Sequence, residues 1–207
     1  LSLDVGGKVF KQRGPMLITH WGLSGPAILK LSAWAAREMK RAHYKGNLKV
    51  NWLGLQNHEA AFQMLSLLKE KNLKSLVGNV YPTQLTKRFW QNVLQAATES
   101  FLTAGSGAAH ATNLSNKRYS DISNKELNKI SDILFASELL VLGQNRFKDE
   151  FVECGGVNLK EVDFKTMESK IQPGLFFAGE LLDIDGITGG FNFQNAWSGG
   201  WVAAQNM

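Results

Sequence analysis

The residues best suited to chemistry lie in a glycine-rich stretch near the end of the chain, residues 173–192. A short apolar run, residues 175–178, is interpreted as a strand that leads into Gly179 and Glu180, and a loop with two aspartates follows. Gly189 and Gly190 then begin an amphipathic helix. Glycines at a strand end and a helix start let the backbone approach a bound group, and free helix N–H groups favour an anion. The stretch predicts one part of a cofactor-binding site.

Metal binding is the first alternative for these residues. Asp183 and Asp185 have the spacing of the first two ligands of a calcium loop. The fifth position of that pattern is Ile187 and the twelfth, where calcium needs a bidentate glutamate, is the neutral Gln194. We therefore predict no metal site.

A nucleophile elbow and a proton-transfer histidine are two further alternatives. Ser24 follows Gly22 as in G-x-S-x-G, but Pro26 replaces the last glycine, so a helix start at Ser24 or Gly25 is favoured over a hydrolase site. His20 is the one histidine beside a motif and is a weak candidate for catalysis near a redox cofactor. A strand-end histidine bonded to the backbone is the commoner arrangement.

Three segments together carry a family resemblance: residues 19–26 (THWGLSGP), residues 155–162 (GGVNLKEV) and residues 173–192. The chain resembles the HI0933-like family of FAD-dependent oxidoreductases over nearly its whole length, strongly from residue 147 and weakly between about 57 and 135. The family's amino-terminal G-x-G-x-x-G fingerprint is not found here. Residues 105–110 (GSGAAH) have two of the three glycines but follow a helical pattern, so we interpret them as a linker.

The resemblance implies that the isoalloxazine ring and ribityl chain of FAD lie along residues 178–193. In that case Gly179 permits close backbone approach, and Glu180, otherwise an exposed loop acid, accepts hydrogen bonds from ribityl hydroxyls. The helix that Asn192 would cap directs its positive end at the ring and stabilises the anionic reduced flavin. The implied cofactor-binding residues are Gly179, Glu180, Asp185, Gly186, Thr188, Gly189, Gly190, Phe191 and Asn192.

The function that the resemblance implies is that of a flavoprotein oxidoreductase, with FAD passing hydride or electrons to a small molecule and NADH or NADPH as a reductant. Because the chain starts at Leu1 and enters a strand pattern directly, we expect a fragment whose amino-terminal FAD-binding half lies upstream. Such a fragment is expected to be inactive and to bind FAD very weakly. Its last segment, residues 161–207, would then be mobile, dock elsewhere or pair with another copy.

Composition indicates a soluble globular protein: 207 residues, 44% hydrophobic and 20% charged. No apolar run approaches the roughly 20 residues of a membrane span, and no signal peptide pattern is visible, so we expect no membrane contact and a cytoplasmic location. The single cysteine, Cys154, excludes an internal disulfide and is interpreted as core filler in a strand.

The net charge of +5 raises an alternative function, a non-enzymatic module that binds a partner protein or nucleic acid. The basic residues are scattered along the sequence, and the tryptophans mostly fall on apolar stripes. A solvated basic surface is therefore favoured over a nucleic-acid site, and salt-dependent polynucleotide binding is the observation that would reverse this preference.

The elements that position these residues predict an α+β fold. Strand patterns occur before residue 56 and after residue 136, and three helical patterns lie between them, the last opened by a capping box of Ser123 and Glu126. We predict a small β-barrel or sheet domain from residues 1–56 and 136–160, interrupted by a helical bundle over residues 57–135. Residues 161–207 form a strand-loop-helix segment, which the resemblance assigns to a two-part FAD-binding Rossmann-like domain.

Overall fold

The computed structural model describes residues 1–103, 113–144 and 152–207, and it is a mixed α/β structure. The chain forms two compact units, Leu1–Leu48 with Leu140–Met207, and Lys49–Leu139. The strands are β1 (Ser2–Val5), β2 (Lys8–Lys11), β3 (Leu17–Ile18), β4 (Leu23–Ser24), β5 (Gly46–Val50), β6 (Ser137–Val141), β7 (Val162–Asp163) and β8 (Glu168–Ser169). The α-helices are α1 (Pro26–Arg41), α2 (His58–Lys71), α3 (Lys87–Thr103), α4 (Asn124–Ala136) and α5 (Gly190–Asn206).

Short 3₁₀ helices also occur, at Leu114–Asn116, Tyr119–Asp121, Leu159–Glu161 and Gly179–Leu181. One sheet has the strand order β2-β1-β5-β6, and β3–β4 and β7–β8 form two-stranded antiparallel pairs. Closure into a barrel and the three-part division into residues 1–56 with 136–160, 57–135 and 161–207 stay predictions.

The first hairpin forms as its turn residues predict. Gly6 and Gly7 have φ of 58° and 86°, and both central residues of a type I′ turn need positive φ. The turn fixes the antiparallel register of β1 and β2, in which Leu3 lies opposite Phe10 and Val5 opposite Lys8. Leu3 and Val5 point into the core, so the alternation of the sequence decides which face is buried.

Helix α1 begins where glycine and proline predict it. Gly25 is the N-cap with φ of 97°, and a Cβ there would lie 3.2 Å from both the amide nitrogen of Leu17 and the Cα of Met16. Pro26 occupies the first helical turn, where its missing N–H costs no hydrogen bond. The β3 strand thus packs directly against the helix start.

The unit Lys49–Leu139 has one apolar core between α2, α3 and α4. Its two largest buried side chains are Trp90 and Tyr119, whose polar atoms are both satisfied. The Trp90 indole N–H donates to the carbonyl of Val77 at 2.7 Å, and the Tyr119 hydroxyl donates to that of Val80 at 2.8 Å. At the start of α4, the predicted capping box of Ser123 and Glu126 is confirmed in both of its hydrogen bonds.

The predicted strand over residues 175–178 is wrong. In the structure it is one isolated bridge between Phe176 and Glu168, because a turn precedes it and a 3₁₀ helix starts at Gly179. Its backbone still runs beside β8, with the Phe177 N–H donating to the Met167 carbonyl at 2.9 Å. The apolar pattern of residues 146–154 also predicts a strand, but this segment falls partly outside the described residues, and residues 152–154 form no strand. The linker predicted at residues 105–110 lies outside the described residues as well.

The aromatic stripe of α5 is largely exposed. The sequence predicts that these aromatics lose part of their burial in this chain, and Trp197 and Trp201 are both 69% exposed. The buried face is made of the small residues Gly199 and Ala203, which let the helix approach the segment that carries Met167. A Cβ at Gly199 would lie 3.1 Å from the Met167 methyl carbon, so any larger residue there would require the Met167 side chain to move.

Candidate functional site

A hydrogen-bonded loop precedes α5. The Asn192 side chain accepts from the Gly186 N–H at 2.8 Å and donates to the Gly186 carbonyl at 3.2 Å. Asn192 lies inside the first turn of the helix, and the N-cap is Gly189. The predicted capping of α5 by Asn192 is therefore wrong: its amide instead closes the loop and fixes Gly186 beside the helix start.

The amino-terminal end of α5 is open to solvent. Gly189 has φ of 151° and, within the parts of the chain that the structure describes, no side chain caps the helix. A Cβ at Gly190 would meet no atom within 4 Å, and Phe191 is 72% exposed. Thr188 is exposed as well. The first-turn N–H groups of α5 are thus accessible to a flat or anionic group.

The 3₁₀ helix Gly179–Leu181 lies along α5. Gly179 has φ of 73°, and a Cβ there would be 3.6 Å from that of Ala196. Glu180 projects from this short helix and is exposed. The predicted residues around positions 179–180 and 185–192 therefore lie along the amino-terminal half of one helix.

The segment around Gly156 holds the backbone that leads to the loop. The Val157 N–H donates to the Leu181 carbonyl at 2.7 Å, and the Asp183 N–H donates to the Val157 carbonyl at 3.1 Å. Gly156 has φ of 146°, and a Cβ there would lie 2.5 Å from the Leu182 carbonyl carbon. Glycine is required because the two backbones touch, and this contact positions Asp183.

A cavity of about 220 Å³ lies between α1 and the loop, within the unit that contains both. The Arg37 guanidinium donates to Asp183 Oδ1 at 2.5 Å, which ties α1 to the loop. This hydrogen bond is also the main cause of a raised Arg37 pKa. The lining residues are Ala33, Trp34, Arg37, Cys154, Asp185, Gly186 and Ile187.

Cys154 lies at this cavity, and its predicted role as core filler in a strand is wrong because the residue is exposed and outside any strand. Partial burial of the thiol raises its pKa first, and the hydrogen bond to Asp185 and the negative charges of Asp185 and Asp183 raise it further. Arg37 acts in the opposite direction. The net shift keeps Cys154 protonated near neutral pH.

The other predicted candidate, His20, lies apart from the cavity lining. It is exposed in the turn between β3 and β4, with its ring centroid 4.0 Å from that of Trp21. Over the described ranges, no group of three or more His, Cys, Asp and Glu side chains is arranged to hold a metal ion. Over the same ranges, no helix has the length and apolar character needed to cross a bilayer.

Sequence reasoning missed the contribution of α1 to this site. In the sequence, Arg37 is one of several scattered basic residues and Trp34 is one of several tryptophans, although the two are one helical turn apart. A tryptophan three residues before an arginine on an amphipathic helix is the signal that could have identified an exposed face.

Comparison with known proteins gives one family and a small set of relatives. The model described as HI0933-like protein Rossmann domain matches residues 30–206. A ribosomal RNA dihydrouridine synthase of Escherichia coli is 29% identical over 210 residues, 97% of this chain and 44% of the relative. The protein of the same name from Haemophilus influenzae is 29% identical over 205 residues, 97% of this chain and 43% of the relative.

A third relative is named for a different activity. The 3-dehydro-bile acid delta(4,6)-reductase of Clostridium scindens is 27% identical over 199 residues, 93% of this chain and 43% of the relative. The chain thus spans less than half the length of these curated relatives.

Proposed function

Because the chain belongs to the HI0933-like family, as its sequence motifs indicated, we propose that it forms the flavin-contacting part of an FAD-dependent reductase. The observation that carries this proposal is the open start of α5, where Gly189 and Gly190 leave space and Asn192 fixes the preceding loop. A planar ring needs close backbone approach of this kind, and a glycine-bounded helix start supplies it.

The names of the relatives support a class of reaction. A dihydrouridine is a uridine whose ring double bond has been saturated, and a delta(4,6)-reductase of a 3-dehydro compound acts on double bonds conjugated with a ketone. In both cases hydrogen is added to a carbon–carbon double bond polarised by a carbonyl. We infer the same class for this chain: a hydride is added to the carbon remote from the carbonyl, and a proton completes the saturation.

Bound FAD would supply the hydride from its reduced ring, with NADH or NADPH restoring that form. The side chains and backbone of this chain would bind the FAD and orient its ring. Glu180 would accept hydrogen bonds from ribityl hydroxyls, and Gly179, which has no side chain, would let the backbone come close to the cofactor. The start of α5, which carries roughly half an elementary positive charge, stabilises negative charge on the ring.

We propose that further polypeptide completes the FAD-binding domain. The exposed aromatics of α5, Trp197 and Trp201 among them, are suited to pack against the remainder of an FAD-binding domain. We propose that such polypeptide binds the dinucleotide part of FAD, and that the enzyme acts in the cytoplasm.

The test uses the complete polypeptide encoded by the gene. We expect it to purify yellow, to release FAD on denaturation, and to be bleached anaerobically by NADH or NADPH and re-oxidised by a conjugated enone or uridine. Gly190→Leu should lower flavin content sharply by filling the helix start. Gly143→Leu is the matched control, because a side chain there also meets no atom within 4 Å and the position lies outside α5. A colourless protein that takes up no flavin would overturn the proposal.

A further inference from the structure

The amino-terminal 48 residues concentrate positive charge. They contain eight Lys and Arg residues against two acids, Asp4 and Glu38, a net charge of +6, whereas the whole chain carries +5. The excess positive charge of the chain therefore lies in residues 1–48. A polyanion would be attracted here before any other region.

Helix α1 gathers part of this charge on one face. Lys30, Trp34, Arg37 and Arg41 follow at spacings of four, three and four residues, which places them in one exposed stripe. Trp34 is 59% exposed, and the side chains of Arg37 and Arg41 are 51% and 74% exposed. We call these four residues the α1 stripe; at 1.5 Å rise per residue it is about 16 Å long.

The middle of the α1 stripe opens into the cavity. Trp34 and Arg37 both line it, opposite Asp185 and Gly186 of the loop assigned to flavin. The Asp183 and Asp185 carboxylates repel phosphate from the cavity but can accept a hydrogen bond from a base N–H. Outside the cavity, Glu38 is shared by Lys8 at 2.5 Å and Arg41 at 3.6 Å, so one cation of this group is left uncompensated.

We propose that the α1 stripe binds single-stranded RNA, with Lys30 and Arg41, at opposite ends of the stripe, on separate phosphates of one strand and Trp34 stacked on the base that enters the cavity. An exposed aromatic between cations is how proteins hold single strands, because bases stack on its face while cations neutralise the backbone. The proposal rests on the proposed function, since it makes that base the group to be reduced. A steroid-sized apolar substrate would need neither the cations nor their spacing.

Binding is measured on the 207-residue chain without flavin, by anisotropy of a labelled uridine-rich 12-nucleotide RNA across a salt series. Lys30→Gln with Arg41→Gln should weaken binding and reduce the slope of log affinity against log salt by about 1.4, roughly 0.7 for each lost phosphate contact. Trp34→Ala should weaken binding roughly 5- to 150-fold at unchanged slope, and Trp34→Phe should restore most of it.

Matched controls separate the α1 stripe from general surface charge. Lys160→Gln with Lys165→Gln removes two exposed cations of the same unit, and Trp21→Ala removes a tryptophan that is 63% exposed; neither should change affinity appreciably. Equal losses in controls and stripe variants, equal competition by duplex RNA, or no binding at low salt would overturn the inference. RNA binding by a flavin-free complete polypeptide would instead defeat the proposed function alone, and flavin reduction without RNA binding would defeat this inference alone.

Discussion

Among the glycines in the described part of the chain, Gly156 is the one where an added Cβ would come closest to other atoms. Replacing it with alanine puts a Cβ within 2.7 Å of three backbone atoms of residues 181–183. Those atoms belong to main chain that is hydrogen-bonded to Val157 and cannot move independently. Gly155 has a similar φ of 125°, but a Cβ there would meet nothing within 4 Å. Comparing alanine substitutions at the two positions therefore distinguishes the cost of backbone strain from the cost of steric overlap.

We predict that Gly156→Ala lowers the free energy of unfolding by about 1 to 3 kcal/mol more than Gly155→Ala does, because overpacking adds to the strain that both share. Urea unfolding of both variants measures this difference. Equal losses would mean that the contact between the backbones at positions 156 and 182 is absent in solution.

Cys154 provides a test of the electrostatics of the cavity. It is the one cysteine of the sequence, so its alkylation rate can be followed without ambiguity. Alkylation requires the thiolate. Asp185→Asn removes an acceptor and a negative charge that raise the Cys154 pKa, so the rate near pH 8 should increase. Arg37→Gln removes a cation that lowers this pKa, so the rate should decrease.

The measurement is the pH dependence of iodoacetamide labelling, followed by mass spectrometry. The curve of labelling rate against pH should move to lower pH for Asp185→Asn and to higher pH for Arg37→Gln. The control Glu161→Gln, which lies away from the cavity lining, should leave this curve unchanged. Shifts of the same sign in both cavity variants would contradict the arrangement described for Asp185 and Arg37.

At the level of elements, local sequence rules predicted starts and turns well. Each of three features depends on residues within four positions of one another, so a short sequence pattern is enough to predict it. These are the capping box at Ser123, the glycine turn of the first hairpin and the Gly25–Pro26 helix start. The buried face of α5 depends on distant packing. Gly199 and Ala203 were overlooked because hydrophobicity ranks tryptophan above glycine, although only small side chains permit this contact.

The capping box gives a prediction for α4. The Ser123 hydroxyl accepts the Glu126 N–H, and the Glu126 carboxylate accepts the Ser123 N–H at 2.9 Å. Ser123→Ala leaves a helix N–H without its partner and should lower the free energy of unfolding by about 1 kcal/mol. Ser32→Ala removes an exposed hydroxyl from the interior of α1 and should be nearly neutral. A neutral Ser123→Ala, measured by urea unfolding, would contradict the cap.

At the scale of the whole molecule, sequence motifs identified the loop and the helix start but not the cavity. Asp185 and Gly186 come from one end of the chain and Trp34 and Arg37 from the other. The distance between them in the sequence, 146 positions for the Arg37 and Asp183 pair, contains no local signal of contact. The α1 stripe, in contrast, has a local cause, because the helical period alone brings residues 30, 34, 37 and 41 onto one face.

The exposed aromatic face of α5 leads to a prediction about association. Phe193 and Trp197 stack with ring centroids 6.0 Å apart, and Trp201 continues the row one turn later. Exposed apolar surface of this extent drives association, and each large side chain removed from water contributes about 1.5 to 3 kcal/mol. The 207-residue chain should therefore self-associate through this face, with an apparent mass that increases with concentration in light scattering.

Trp197→Gln with Trp201→Gln should restore a monomer, because it removes two side chains that are each 69% exposed. The control, Leu17→Gln with Trp21→Gln, removes two side chains that are each 63% exposed beside β3, and it should leave association unchanged. If the control pair abolishes association equally, general hydrophobicity and not the α5 face is responsible. If the unmodified chain is monomeric at every concentration, α5 in solution must cover its aromatics in a way that differs from this structure.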